Sequence, residues 1–75
     1  MTWNHRVISR EGQDELAIHE VYYDEDGEPN MVTNDAVGIY GETVEELRET
    51  LERMLKSLEA PKLAFESFGQ PVEGR

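Results

Sequence analysis

Thr43-Val44-Glu45-Glu46-Leu47-Arg48-Glu49-Thr50-Leu51-Glu52-Arg53-Met54-Leu55-Lys56-Ser57-Leu58-Glu59 is the stretch on which the fold turns. It opens with a capping box: the Thr43 hydroxyl is placed to accept the Glu46 amide while the Glu46 carboxylate reaches back to the Thr43 amide. Glu45 and Glu46 also suit the positive end of a helix dipole. Val44, Leu47, Leu51, Met54, Leu55 and Leu58 recur at a spacing of three and four, so a helix gathers them into one stripe. The pairs Glu49–Arg53 and Glu52–Lys56 stand at i,i+4 in the favourable order. Pro61 disfavours helix at Ala60 and ends the element. The pattern predicts a helix from Thr43 to Glu59 whose whole apolar stripe is spent on the core.

Working upstream, Trp3 to Arg10 and Glu15 to Tyr23 read as strands, the second being the richer in β-branched and aromatic residues. Gly12-Gln13 between them suits a two-residue type II′ turn. Counting outward from that turn, Val7 faces Ile18, His5 faces Glu20 and Trp3 faces Tyr22. These residues, with Leu16, share the face expected under the helix. Asn4, Arg6, Ile8, Ala17, His19, Val21 and Tyr23 take the other face. A one-residue slip would exchange the second strand's two sets. Asp26-Gly27 reads as a type I′ hairpin turn, and Met31-Val32-Thr33 as the returning third strand. Asn34 to Gly41 is irregular, punctuated by Gly38 and Gly41. Downstream of the helix, Leu63, Phe65 and Phe68 are placed to dock as a last extended segment. The fold class is α+β: a three-stranded antiparallel β-meander, one amphipathic helix packed on one face and a short C-terminal strand. Residues 1–68 form the domain and 69–75 a disordered tail.

The chain has 75 residues and no cysteine, which excludes disulfides, thiolate metal sites and a cysteine nucleophile. A domain this short buries only about 60% of its unfolded surface. No apolar run approaches a membrane span, and the first six residues lack the cationic-then-apolar order of a leader. A cytoplasmic location follows by elimination. Seventeen acidic residues against seven basic ones give a formal net charge of −10. That field repels nucleic acid and anionic lipid and favours a basic partner.

His5, His19 and Glu20 are the only histidine–carboxylate constellation, and two imidazoles with a carboxylate suit zinc. However, adjacent strand residues point to opposite faces, so His19 and Glu20 diverge. A His5–Glu20 cross-strand pair is the simpler reading. Asp24, Asp26 and Gly27 resemble part of a calcium loop, but Tyr22 and Thr33 stand where that loop needs acids. Gly38-Ile39-Tyr40-Gly41 lacks the lysine of a phosphate loop, and Glu42, Glu45 and Glu46 would repel phosphate. Trp3, Tyr22, Tyr23 and Tyr40 read as core or interface anchors. Ser9, Ser57 and Ser67 show no nucleophile-elbow motif. No metal or cofactor is implied.

Two resemblances add to this reading. Trp3-Asn4-His5-Arg6-Val7, with Ile18-His19-Glu20-Val21-Tyr22-Tyr23-Asp24 and Glu46-Leu47-Arg48, resembles a group of small bacterial proteins to which no activity is attached. Gly38-Ile39-Tyr40-Gly41-Glu42-Thr43-Val44-Glu45-Glu46 is similar to the strand-to-helix junction of HicB-like antitoxin domains. That likeness implies a short sheet leading into an amphipathic helix, and neutralisation of a small toxin, often by an oligomer. The DNA-binding segment of that family has no counterpart here.

The function expected from these readings is a non-catalytic protein-interaction module, working with a protein partner or as a homodimer. Its partner surface is expected on the sheet face opposite the helix, at Arg6, Ile8, His19, Val21 and Tyr23, because nothing later in the chain is long enough to cover that face. The alternatives are an antitoxin-like partner of a small basic protein, and a small-ligand or metal-dependent enzyme using His5, Glu20 and nearby Tyr22.

Overall fold

The computed structural model describes residues 2–68; the tail expected at 69–75 lies outside them. Strand β1 (Thr2–Ser9) is followed by β2 (Ala17–Tyr23), β3 (Pro29–Val32), helix α1 (Val44–Ser57), β4 (Leu63–Ala64) and a single 3₁₀ turn (Phe65–Ser67). The fold is α+β. Its sheet has four strands in the order β3-β2-β1-β4. The first three are antiparallel, and β4 lies parallel to β1 with Ile8 opposite Leu63. The sheet is therefore mixed rather than a pure meander.

The β1–β2 register is the one counted from the sequence: Val7 pairs with Ile18, His5 with Glu20 and Trp3 with Tyr22. The turns that produce it differ from expectation. Gln13 N–H donates to Arg10 C=O at 3.0 Å, so the reverse turn has Glu11 and Gly12 at its centre. Gly12 takes φ +82° at its third position, as a type II turn requires. Pairing stops at Ile8–Ala17, which leaves Leu16 outside the strand and exposed. At the second turn Asp26 keeps a negative φ and only Gly27 is positive, at +80°. Asp24 N–H donates to Glu28 C=O, and Gly27 N–H to Asp24 C=O. The connection is thus a three-residue loop ending in a left-handed glycine rather than a type I′ pair. The Asp24 carboxylate favours it by accepting the amides of Asp26 and Glu28.

Thr43 caps α1 as expected, its hydroxyl accepting the Glu46 amide at 3.1 Å. The Glu46 carboxylate reaches one residue further back, to the Glu42 amide at 2.9 Å. The helix rests mainly on β1.

The core is not where the helix pattern places it. The buried cluster is Ile8, Val21, Val32 and Phe68, with Tyr23, Leu63 and Phe65 packed around it. By strand alternation Ile8 and Val21 point away from the face that carries His5, Val7 and Glu20. The C-terminal segment closes this second face, contrary to the expectation that it stays bare. Three ties hold the segment in place. Arg10 stacks its guanidinium 3.7 Å over the Phe65 ring, Glu66 accepts the Glu11 amide at 2.9 Å, and Arg6 donates to Pro61 C=O at 2.8 Å. A two-residue strand and one 3₁₀ turn suffice because they bring Leu63, Phe65 and Phe68 together against Ile8, Val21 and Val32.

Candidate functional site

The face beneath α1 is partly polar. His5 and Glu20 are both buried there, directly opposite each other across β1 and β2. The Tyr22 hydroxyl donates to Glu20 Oε1 at 2.8 Å, and the Trp3 ring meets His5 edge-on with centroids 5.4 Å apart. Glu20 forms one wall of a groove of about 630 Å³ between Thr33, Asp35, Gly38, Tyr40 and the first turn of α1. The structure thus brings together the three residues of the enzyme alternative, His5, Glu20 and Tyr22. His19 stands apart on the other face, as the register requires. Among the described residues no group of three His, Asp or Glu side chains is placed to hold a metal ion.

A carboxyl oxygen this deep depends on its donors. Tyr22→Phe removes one of them and should lower stability by about 1–3 kcal/mol, the cost of a buried acceptor losing a partner. Urea unfolding would show it; a change below about 0.5 kcal/mol would mean that the hydroxyl does not serve Glu20.

The five residues expected to form a partner surface are tied into the second face. Ile8, His19 and Val21 are buried. His19 Nδ1 lies 2.9 Å from Thr33 C=O, and since a carbonyl only accepts, that nitrogen carries the proton. The His19 ring also packs against Phe65. Arg6 and Tyr23 are half-buried at the margin, where Arg6 donates to the Tyr23 hydroxyl at 2.8 Å and Tyr23 donates to Asn4 at 2.7 Å. This set floors the C-terminal segment.

Trp3, Leu16, Ile39 and Tyr40 are exposed on the strands and loops, and a contiguous exposed apolar run lies on α1. Val44 is 71% exposed, Leu51 50%, Leu55 68% and Leu58 62%. Only Met54 and Ser57 of the helix are buried, with Leu47 and Thr50 half-buried. At 3.6 residues per turn the buried positions centre about 90° round the helix from the exposed leucines. The stripe therefore meets the sheet along one margin only. The reason is on the sheet: next to Val7 and Ile18 it offers His5 and Glu20, which match the small Ser57 and Thr50 better than a row of leucines. Val44, Leu47, Arg48, Leu51, Glu52 and Leu55 line a shallow apolar surface drawn wholly from the helix, with no other element walling it.

The sequence held a sign of this arrangement. Two turns apart on the flank of the stripe stand Thr50 and Ser57, the small polar pair that packs inward. Arg48 pairs with Glu45 along its outer flank, an exposed contact that adds little to stability. No helix among the described residues is long and apolar enough to cross a membrane. Comparison with protein-family models, with curated proteins and with solved structures finds no match.

Proposed function

We propose that this chain is a protein-interaction module that works through the exposed face of α1. The observation that carries the reading is the exposure of Val44, Leu51, Leu55 and Leu58 along one side of an otherwise well-capped helix. An amphipathic helix offering anchors at three- and four-residue spacing is a recurrent way of docking on another protein. The Arg48, Glu52, Glu45 and Lys56 side chains beside the stripe supply a polar rim of the kind that sets orientation more than affinity.

A photo-reactive benzoylphenylalanine at position 55 tests the proposal in living cells of the source. Ultraviolet light should give a discrete protein adduct there and none with the same group at Glu49, on the opposite flank. No adduct at position 55, or equal adducts at both positions, would overturn it. A second reading fits the net charge of −10. In it the module neutralises a small basic protein, as the likeness to HicB-like domains over Gly38 to Glu46 implies. A strongly basic adduct would favour that reading.

A further inference from the structure

We infer that the occupant of the α1 stripe is a second copy of this chain, packed antiparallel across a twofold axis near Leu51. The inference rests on the interaction reading above and names its partner.

Closed twofold pairing is the commonest way for a chain to use a self-complementary patch. Run antiparallel, the α1 stripe matches itself, and the charged flank beside it selects that orientation. With the axis at Leu51, Val44 meets Leu58 of the partner copy, Leu47 meets Leu55, and Leu51 meets its own equivalent. Every exposed apolar side chain of the helix then has an apolar counterpart.

The charges agree. Arg48, Glu52, Glu45 and Lys56 all lie on the same outer flank of the stripe. In an antiparallel helix pair like flank meets like flank. Moving the axis by half a residue, to between Thr50 and Leu51, brings Glu45 level with Lys56 and Arg48 within one residue of Glu52, each contact occurring twice, and keeps every apolar pair within one residue of level. A parallel pair would set this charged flank against the side of the partner helix that is already occupied by its own sheet.

The rest of the fold leaves room. Glu46, on the flank away from the stripe, lines the groove over Glu20 and Thr33. The stripe therefore points away from the β2–β3 half of the sheet, past the short strand β4. A helix of 14 residues is only about 21 Å long, so the contact falls at the small end of specific interfaces. A reversible dimer in the micromolar range is the consequence.

Sedimentation equilibrium on the full chain, from micromolar to millimolar concentration, should show a concentration-dependent monomer–dimer balance. Leu51→Glu places two carboxylates on the axis and should raise the dissociation constant at least tenfold with an unchanged helical circular dichroism spectrum. Arg48→Glu and Glu52→Arg should each weaken self-association. Mixed in equal amounts, these two variants should form a heterodimer tighter than either homodimer, because each then offers the other's missing charge. A strict monomer throughout, a dimer indifferent to Leu51→Glu, or no gain on mixing would each overturn the inference. The two proposals fail separately: an adduct to a different protein at position 55, with a monomeric purified chain, sinks the second copy and keeps the interaction module.

Discussion

Phe68→Ala should lower the unfolding free energy by about 3–5 kcal/mol, the usual range for removing a buried phenylalanine. Phe68 belongs to the buried cluster with Ile8, Val21 and Val32, and it comes from a segment joined to the sheet by only two residues of β4. A domain of this size holds on the order of 4–11 kcal/mol in total, at roughly 0.05–0.15 kcal/mol per residue. One substitution in the last described turn thus removes a large part of the whole. The mechanism is specific. Without the ring, Val21 and Val32, both fully buried in the native chain, lose their cover. The Arg10–Phe65 stacking and the Glu11–Glu66 hydrogen bond are then too exposed to hold the segment alone. Thermal or urea unfolding at a concentration where the chain is monomeric gives the number directly. A loss below about 1 kcal/mol would mean that the C-terminal segment is an ornament rather than the lid of the core.

Ile8→Ala should cost about 2–5 kcal/mol, for the complementary reason. Ile8 is 2% exposed and stands between two neighbours in the sheet, opposite Ala17 on β2 and Leu63 on β4. It is the residue through which the strand face and the C-terminal segment touch. Truncation leaves a cavity bounded by Val21, Leu63 and Phe68, and the short β4 gives little backbone to collapse into it. Because Ile8 and Phe68 share that cluster, the double variant should lose less than the sum of the two single losses. Strict additivity, measured by the same unfolding curves, would show that the two side chains do not share a core.

These two residues also mark how much of the fold is legible in the amino-acid sequence. Strand pairing is legible in part: counting outward from a turn at Gly12 gives the observed register, while the consecutive apolar pairs Val7-Ile8 and Val21-Tyr22 leave alternation alone unable to choose between it and a one-residue slip. The helix start is legible too, because a capping box is a local device whose partners are three residues apart. What covers which face is not legible. The periodicity of Leu47, Leu51, Leu55 and Leu58 states that these residues share a side, and says nothing about whether the sheet is there to receive it. The segment that does close the core, Leu63 to Phe68, has no periodicity at all, being two strand residues and one 3₁₀ turn. The sequence places Leu63, Phe65 and Phe68 to dock, as they do, and does not say on which face.

The candidate site follows the same division. Arg6, Ile8, His19, Val21 and Tyr23 lie together on one face, as alternation requires, but that face is the floor of the core rather than open surface. The signal for the exposed surface was present in the wrong place. Leucines on α1 look like core until the polar pair His5 and Glu20 is placed beneath the helix. A buried carboxyl hydrogen-bonded by Tyr22 occupies the room that a leucine-filled interface would have taken.

The central claim is that the helix keeps its leucines outside and the C-terminal segment supplies the core. Paramagnetic relaxation by an inert soluble agent, read on the methyl groups of a dilute monomeric sample, tests it most directly. The methyls of Val44, Leu51, Leu55 and Leu58 should broaden strongly, while those of Ile8, Val21 and Val32 stay sharp. Sharp leucine methyls on the helix together with broadened Ile8 and Val21 would contradict the account, because they would place the helix stripe in the core and leave the second sheet face bare.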